Sequence, residues 1–417
     1  MRILSNDFGG YPYPVQLARE LARRGHDVLH THCASLTTTP GGATAPRADD
    51  PATFETRGLA LARPLEKYRF VQRFRQEREY GRLVAHAARS FRPDVVLSAN
   101  TPLDAQRTLL RETRALGAGF VFWLQDIIGI AAERLLRGRI PVAGALVGQH
   151  YVRMEARMLR EADHVVNITD DFAPILAGWG VRADRMTTVE NWAPVEELPL
   201  GDAGSAWARA TGLDRDVVFL YAGTLALKHN PDLLLNLAIQ TQDRRVDGGP
   251  GQAPRAVRVV VLSQGPGADF LRDKATGESG DPGLDNLDVR GFKPFSEMPE
   301  AMAAADVLVA VLEPDAGVFS VPSKVLAYLC GARPVLLAVP PENLAARIVA
   351  REGAGLVVAP DDHAGFLAAA ETLVRDRDLR ERMGRNARAY AETAFPIAAI
   401  ADRMEGVLAT AAGAPRR

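Results

Sequence analysis

The chain lacks the features that mark secreted, membrane-spanning and nucleic-acid-binding proteins. Among its 417 residues there are only two cysteines, Cys33 and Cys330, which excludes a disulfide framework and indicates a reducing compartment. A formal net charge of −1 gives no support for a general nucleic-acid binder. Uncharged apolar stretches such as residues 140–148 are far shorter than the roughly 20 residues that span a bilayer. We expect no secretory signal peptide, because the sequence opens with a charged residue and a short strand.

Several catalytic and cofactor motifs are absent as well. There is no G-x-S-x-G sequence for a hydrolase nucleophile. The stretch GPGADF, residues 265–270, does not complete the dinucleotide-binding fingerprint. HTHC, residues 30–33, offers metal-ligating atoms at a strand end but has no partner residues nearby in the sequence, so we expect no metal site. The composition predicts a globular protein of two or three domains, soluble or peripheral to a membrane.

What the sequence does contain is a regular alternation of short apolar runs and helical patterns. Such alternation is typical of βαβ units and parallel sheets. The first half has predicted strands at 2–6, near 27, 94 and 120, and at 164–169 and 186–191. A stretch rich in proline, glycine and acidic residues follows Asn191 and predicts a linker. The alternation then restarts, with predicted strands at 216–224, 257–267, 286–292, 306–313, 334–339 and 355–360.

This pattern predicts an α/β protein with two Rossmann-like, doubly wound domains that face a cleft. We expect the first domain over residues 1–198, the second over 199–395, and a C-terminal helix over 396–417 that packs back on the first domain. Residues 244–255 predict a mobile surface loop. Ligands in this architecture bind beyond the carboxyl ends of the strands, so the strand-to-helix turns are the informative positions.

Three turns of the second domain suggest an anion site. Gly223 opens a loop that contains Lys228, the next strand ends in SQGPG (263–267), and a helix starts at Ser323-Lys324. Helix N-termini and lysines both attract anions, and these turns share one edge of the predicted sheet. A diphosphate needs donors from several directions, so the sequence predicts a nucleotide-sugar diphosphate here. The alternative for Lys228 is an ordinary solvated loop lysine.

Several segments, in order and spacing, match a known family. They are GGYPYPVQLARELARRGHDV (9–28), WLQDI (123–127), ADHVVNIT (162–169), VENWAP (189–194), AGTLALKHNPDLL (222–234) and a PSK…Y…ARPV segment from Pro322 to Val335. With these, nearly the whole chain resembles a family 4 retaining glycosyltransferase of the two-domain GT-B type. Within that family, the chain resembles bacterial exopolysaccharide and O-antigen transferases of the colanic-acid kind.

The resemblance implies the transfer of a sugar from a nucleotide-diphosphate donor, with retention of anomeric configuration and without a metal ion or other cofactor. The donor would be a UDP-sugar, an N-acetylhexosamine being one candidate, and the acceptor a saccharide, a polyprenyl-diphosphate-linked sugar or a natural product. Residues 1–198 would bind the acceptor and 199–395 the nucleotide sugar. The protein would act in the cytoplasm, or on the inner face of the plasma membrane.

The resemblance also assigns roles to residues of this sequence. Lys228 would contact the diphosphate and act in catalysis, assisted by Lys324 and the N–H groups near Ser323. Asp126 would face the reacting sugar; the alternative is that it caps the helix that follows. Asn191 would sit at a hinge or end a strand. The remaining predicted donor-site residues are Gly223, Thr224, Gly265, Gly291, Phe292 and Glu313, with Gly291 and Phe292 near the nucleobase, and Gly9 and Gly10 form the acceptor-side loop.

The sequence departs from the family at the two glutamates that are normally separated by seven intervening residues. Their positions are occupied by Phe319 and Ala327, although Glu313 and Asp315 stand just upstream of the first. Alanine cannot bind ribose hydroxyl groups as a glutamate would. In addition, Thr224 replaces the usual arginine of the first loop, and Ala332 a usual glycine. These changes affect ribose recognition and donor identity, while the diphosphate prediction depends on the lysines and helix ends.

A basic segment, residues 63–92, is a candidate membrane surface. Arg75, Arg78 and Arg82 fall at helical spacing, with Phe70 and Phe74 one turn apart. Such a face suits anionic lipid and a polyprenyl-linked acceptor. Arg134, Arg137 and Arg139, before the apolar stretch 140–148, would extend it. The alternative is a solvated arginine-rich helix and a soluble acceptor.

Two other function classes fit the same architecture. A nucleotide-sugar epimerase shares the two-domain fold but would be expected to show more acid–base carboxylates and histidines, and it needs no acceptor. A non-catalytic nucleotide-sugar-binding relative is favoured by the loss of the glutamate pair at Phe319 and Ala327.

Overall fold

The structure is a computed structural model of the chain. It describes residues 1–36, 43–65, 69–139, 141–202, 204–225, 229–247, 253–278, 282–312 and 321–414. The chain divides into two compact units, each with its own sheet. The first unit is Met1–Asn191 together with Ile397–Arg417, and the second unit is Trp192–Pro396.

The first unit contains a parallel sheet. Its strands are β1 (Arg2–Asp7), β2 (Asp27–Cys33), β3 (Phe54–Leu59), β4 (Val95–Ala99), β5 (Gly119–Leu124), β6 (His164–Asn167) and β7 (Met186–Thr188). They lie in the order β3-β2-β1-β4-β5-β6-β7, and neighbouring strands are parallel. The chain therefore builds outward from β1 on one side and then on the other. The strand order reverses between β1 and β4, which is where doubly wound sheets bind ligands.

Helices connect these strands. They are α1 (Pro12–Arg23), α2 (Phe70–Phe91), α3 (Leu103–Ala115), α4 (Ile128–Arg139), α5 (Pro141–Glu161) and α6 (Ala173–Gly178), with short 3₁₀ turns at Asp170–Phe172 and Ala183–Arg185. β1, β4 and β5 are almost wholly buried because helices cover both faces of a parallel sheet. This burial explains their continuous apolar runs in the sequence.

A buried polar cluster fixes the carboxyl end of this sheet. Asn6 donates to the hydroxyl groups of Ser98 (3.1 Å) and Thr101 (2.7 Å). It accepts from Thr31 (3.0 Å) and Tyr80 (2.7 Å). Both functional groups of the Asn6 amide are therefore paired, which a buried amide requires. The cluster joins β1 to β2, β4 and α2 immediately before the turns that carry the site.

The second unit repeats the architecture. Its strands are β8 (Val217–Ala222), β9 (Arg245–Val246), β10 (Arg255–Leu262), β11 (Leu287–Arg290), β12 (Val307–Val311), β13 (Val335–Ala338) and β14 (Gly355–Val358). The order β11-β10-β8-β12-β13-β14 is parallel throughout, and β9 pairs antiparallel with β10. Here the strand order reverses between β8 and β12. The prediction of two doubly wound α/β units is confirmed.

The helices of the second unit cover this sheet. They are α7 (Ala206–Thr211), α8 (Asp232–Thr241), α9 (Pro266–Thr276), α10 (Met298–Ala303), α11 (Ser323–Cys330), α12 (Leu344–Arg351), α13 (His363–Arg375) and α14 (Arg377–Ala394), with 3₁₀ turns at Val195–Glu197 and Phe295–Glu297. β8, β12 and β13 are buried at every residue. The valine-rich pattern of these strands follows from burial on both faces.

Two strands differ from the sequence prediction. β3, with the sequence FETRGL, is half-exposed at the sheet edge, so it has no apolar run to reveal it. The prediction of a loop over residues 244–255 is wrong at both ends of the segment. There Arg245 pairs with Ala256 and Val246 with Arg255, as neighbouring antiparallel strands. Residues 248–252 lie outside the described part of the chain.

The C-terminal helix α15 (Ile397–Ala412) belongs to the first unit, where it packs against α1 and β5. Arg24 binds Asp402 at 2.6 Å and Glu405 at 3.0 Å. Glu405 also accepts from His26, with 2.7 Å between the two atoms. At the other end of the helix, the carbonyl oxygen of Ala411 lies 2.3 Å from the position that a Cβ atom on Gly119 would occupy.

This close approach makes Gly119→Ala a test of the packing of α15. We expect the substitution to destabilise folding by about 1–3 kcal/mol, because backbone on both sides must move. Urea unfolding measures the change. Gly406→Ala, in α15 itself, is the control: no atom lies within 4 Å of its added Cβ, and alanine favours the helix. Equal midpoints for the two variants would contradict the packing described.

Candidate functional site

In the second unit, the predicted turns meet at the carboxyl ends of neighbouring strands. Gly223 follows β8, Gly265 lies beyond β10, and Gly291 follows β11. The amide of Gly267 donates to the carbonyl of Leu225 at 3.0 Å, which joins the first two turns. Gly223 has φ +132° and Gly265 φ +107°, a region that side-chain-bearing residues rarely adopt. The sequence prediction that these glycines share one edge is therefore consistent with the structure.

Lys324 lies directly behind the first of these turns. Its Nζ is 3.1 Å from the position that a Cβ atom on Gly223 would occupy. The ammonium group donates to the Tyr221 hydroxyl at 2.5 Å and lies 4.1 Å from the centre of the Tyr221 ring. The absence of a side chain at residue 223 therefore leaves the space that the lysine needs. The contact bridges β8 and α11, the helix that follows β12, and so spans the reversal point of the sheet.

Tyr328 holds α11 in this position. Its hydroxyl donates to the carbonyl of Ala222 (3.0 Å) and accepts from the amide of Ala222 (2.7 Å). Lys324 is four residues earlier and therefore lies on the same helix face. This is the physical reason for the spacing of lysine and tyrosine in the PSK…Y segment.

The surroundings of Lys324 favour its neutral form. Burial lowers the pKa of the ammonium group to about 7. Ser323, at the first position of α11, is exposed beside it. An anion at the start of α11 would meet the positive end of the helix dipole and a lysine whose charged form the anion stabilises.

Some predicted donor residues can be placed and others cannot. Thr224 is exposed, and its carbonyl accepts from the Tyr221 hydroxyl at 2.8 Å. Phe292 is half-buried after β11. Ala327 is half-buried in α11, one residue before Tyr328. Lys228 and Glu313, like Asp315 and Phe319, lie outside the described residues.

In the first unit, the reversal point carries a buried carboxyl group that the sequence interpretation missed. Asp7 ends β1 and accepts from the amide of Tyr11 (2.6 Å) and from the side-chain amide of Asn100 (2.8 Å), which follows β4. Burial raises its pKa to about 7, although these bonds and the amides of Gly9 and Gly10 favour the charged form. The only sequence signal is a carboxylate between a strand and a glycine pair.

Gly9 and Asp126 line one cavity of about 220 Å³ at this edge. Gly10, at φ +65°, completes the turn, and its amide donates to the carbonyl of Asp7 at 3.2 Å. Asp126 is exposed. The structure thus brings together Gly9, predicted for the acceptor-side loop, and Asp126, predicted to face the reacting sugar, which are 117 positions apart in the sequence.

The helix that follows Asp126 is bound by a different carboxylate. The first amides of α4, those of Ile128 and Gly129, donate to Glu155 of α5 at 3.1 and 2.8 Å. Burial raises the pKa of Glu155 to about 8. This contact gives the N-terminus of α4 an acidic partner from the next helix.

A chain of hydrogen bonds supports the cavity wall. Asn100 donates to the Tyr13 hydroxyl (2.9 Å), and Tyr13 donates to Gln125 (3.0 Å). Asn191 donates to the same Gln125 oxygen at 2.5 Å. Asn191 is thus a buried support of Gln125 at the end of the first unit.

The described part of the chain contains no group of three or more histidine, cysteine or acidic side chains that could hold a metal ion. His30 and His32, predicted not to form a metal site, stack with ring centres 6.3 Å apart. Burial lowers the pKa of both imidazoles.

Comparison with known proteins gives a family match for the first unit and structural matches for the whole chain. Residues 8–192 match the family model described as "Glycosyl transferase 4-like domain". No curated protein matches the sequence significantly.

Solved structures resemble the chain along almost all of its length. Anabaena HepE in complex with UDP and glucose has a TM-score of 0.68 at 15% identity, over 98% of this chain and 99% of that one. Sucrose-phosphate synthase from Thermosynechococcus elongatus has a TM-score of 0.71 at 17% identity, over 98% of both chains. A glycosyltransferase from Rickettsia africae has a TM-score of 0.67 at 12% identity, over 99% of both. The fold is of the GT-B type.

Proposed function

We propose that the protein is a glycosyltransferase that moves a sugar from a nucleotide-diphosphate donor, a UDP-sugar, to an acceptor hydroxyl group. The observation that carries the proposal is Lys324, held behind Gly223 at the start of α11, where an anion would bind. The family match over residues 8–192 and the GT-B fold support it. The solved HepE structure contains UDP and glucose, which supports the choice of donor.

The second unit would bind the donor and the first unit the acceptor. In the second unit, Lys324 and the start of α11 would stabilise the charge on the departing diphosphate, which is the main demand of this reaction. The bond between the anomeric carbon and the phosphate oxygen breaks, and a bond to the acceptor oxygen forms. The acceptor proton goes to the leaving phosphate. Retention of configuration and independence of metal ions are expectations from the family resemblance.

Calorimetric titration with UDP, GDP and dTDP, with and without EDTA, tests the donor assignment. We expect UDP to bind without added metal. Incubation with UDP-sugars should then yield a glycosylated acceptor. An epimerised donor without transfer would favour an epimerase. Binding without any turnover would favour the non-catalytic relative that the missing glutamate at Ala327 suggests.

A contact with anionic membrane is the second part of the proposal and would suit a lipid-linked acceptor. On α2, Val71, Phe74, Arg75, Arg78 and Arg82 are exposed, and the Arg78 guanidinium lies 5.4 Å from the centre of the Phe74 ring. The described helices include none long and apolar enough to cross a bilayer.

The helix pair α4 and α5 adds to this surface. Val142 is 79% exposed and Leu146 72%, one helical turn apart on α5. Arg134 and Arg137 of α4 are exposed as well. Exposed aliphatic side chains beside arginines favour the interface of an anionic bilayer over water. α2 and α5 both pack on α3, so the two patches belong to one group of helices.

Charge reversal tests this contact. Replacing Arg75, Arg78 and Arg82 by Glu is expected to lower the affinity for phosphatidylserine-containing vesicles at least tenfold at about 0.1 M salt, because each arginine near such a surface contributes about 1 kcal/mol. Co-sedimentation measures it. Reversal of the exposed Arg377, Arg382 and Arg385 of the second unit is the charge-matched control. Equal sedimentation of both triple variants would contradict the proposal and favour a soluble acceptor.

A further inference from the structure

The cavity of the first unit is lined by polar and aromatic side chains that suit a particular kind of ligand. It lies at the carboxyl ends of β1, β4 and β5 and has a volume of about 220 Å³. The residues that matter for its chemistry are Gly9, Tyr11, Asn100, Trp123, Gln125 and Asp126. What this cavity would bind rests on the proposed function, because it concerns the acceptor of the same reaction.

The charges around the cavity disfavour an anionic ligand. Among its described lining residues there is no lysine or arginine, and the only charged one is Asp126. A second carboxyl group, Asp7, lies one hydrogen bond behind the wall, at 2.8 Å from the Asn100 amide. The sign of these charges is opposite to that of Lys324 at the sheet edge of the second unit. A phosphate therefore suits the second unit, and a neutral or hydroxyl-bearing ligand suits the cavity of the first.

Gln125 lines the cavity and carries an unsatisfied hydrogen-bond donor. Its carbonyl oxygen accepts from Tyr13 and Asn191, which fixes the orientation of the amide. Its Nε2 is buried and has no hydrogen-bond partner among the described residues. A buried donor without a partner costs about 1–3 kcal/mol. A ligand oxygen that accepted from Nε2 would recover that cost.

Tyr11 supplies a flat apolar surface next to these polar groups. The side chain is 40% exposed, and its ring stacks on Tyr13 with centres 6.0 Å apart. The Tyr11 ring also lies over Gly9: its Cε2 is 2.1 Å from the position that a Cβ atom on residue 9 would occupy. The missing side chain of Gly9 therefore allows the ring to lie where it does.

Asp7 holds the two sides of the cavity together. It accepts from the backbone amide of Tyr11 on one side and from Asn100 on the other. Asn100 has φ +47°, a left-handed conformation that few side-chain-bearing residues other than Asn adopt. Both walls are therefore tied to the end of β1, which makes the cavity a preformed site.

The volume sets the size of the ligand. Sites for drug-sized ligands typically enclose about 300–1,000 Å³. A cavity of about 220 Å³ is smaller, so it suits one sugar ring rather than an oligosaccharide. We propose that this cavity binds a single neutral sugar ring of the acceptor, with Tyr11 packing on the ring and the Gln125 amide donating to one of its hydroxyl groups.

Ligand-observed NMR with a panel of neutral methyl hexosides, in the absence of any nucleotide, tests this directly. At least one hexoside is expected to bind the wild-type chain. Tyr11→Ala, Gln125→Leu and Gly9→Ala should each weaken that binding about fivefold or more, the last because its Cβ displaces the Tyr11 ring. Gln242→Leu, an exposed glutamine of the second unit, is the control and should leave binding unchanged.

The design separates this inference from the proposed donor site. Lys324→Met should lose UDP affinity and keep hexoside binding, whereas Tyr11→Ala should do the reverse. Tyr11→Ala also keeps the test informative if Gln125→Leu fails to fold, because Tyr11 is partly exposed. Three results would overturn the inference: no hexoside binding to the wild-type chain, equal binding by wild type and Tyr11→Ala, or displacement of the hexoside by inorganic phosphate or uridine.

Discussion

Replacing Lys324 by Met is expected to weaken UDP binding by about 10- to 150-fold. The side chain keeps its length but loses the charge that would face the diphosphate. Hydrogen bonds to charged groups contribute about 1.5–3 kcal/mol, and about 1.4 kcal/mol is a factor of ten in affinity. Calorimetric titration at pH 7 measures the loss. The effect should be large because Lys324 sits at the reversal point of the sheet, behind a glycine that leaves it room.

The matched control for this substitution is Lys274→Met. Lys274 lies near the carboxyl end of α9, whereas the predicted donor turns lie beyond the other end of that helix. It should retain wild-type affinity. An unchanged dissociation constant for a folded Lys324→Met protein would reject the anion site at α11. Lys228→Ala is expected to act in the same direction, and its comparison with Lys324→Met would divide the diphosphate interaction between two lysines.

The placement of Lys324 was predictable from the sequence for a simple reason. Parallel strands end at the same edge, and Gly223 and Ser323-Lys324 both follow strand patterns. The sequence could not show that Lys324 contacts Tyr221. That contact depends on β8 and β12 being neighbours, which the strand order sets and the local pattern does not.

The first unit shows where sequence interpretation reached its limit. Asp7 and Asn100 are 93 positions apart and meet only because β1 and β4 are adjacent. In the same way, the first amides of α4 donate to Glu155, which belongs to the next helix and is 26 positions beyond Gly129. Helix-capping rules consider only residues next to the helix end in the sequence, so they cannot predict a contact with a carboxylate from another helix.

The exposure of aliphatic side chains on α5 could not be predicted from the sequence either. The apolar stretch 140–148 does not itself show which of its side chains face outward, and in the structure Val142, Leu146 and Val147 of α5 are exposed. The helix packs on α4 through small residues: the Cα of Glu133 lies 2.5 Å from the position that a Cβ atom on Gly148 would occupy. Glycine thus forms part of the buried face and leaves larger aliphatic side chains outside.

UDP affinity is expected to fall about tenfold for each pH unit above 7, up to the pKa that Lys324 reaches in the complex. Burial lowers the pKa of the free lysine to about 7, and a bound diphosphate must raise it because opposite charges favour ionisation. The complex therefore holds more protons than the free protein, and binding weakens as protons become scarce. Titrations between pH 7 and 9 measure the slope.

Proton uptake on binding is the second measurement of the same effect. Titration with UDP at pH 8, in two buffers of different ionisation enthalpy, should show uptake approaching one proton per UDP. The nucleotide itself contributes little, because the second pKa of a phosphate is about 6. Burial holds the pKa values of Tyr221 and Tyr328 well above this range, so neither phenol supplies the proton. Lys324→Met should abolish the uptake and flatten the pH dependence, whereas the same uptake in that variant would show that another group titrates.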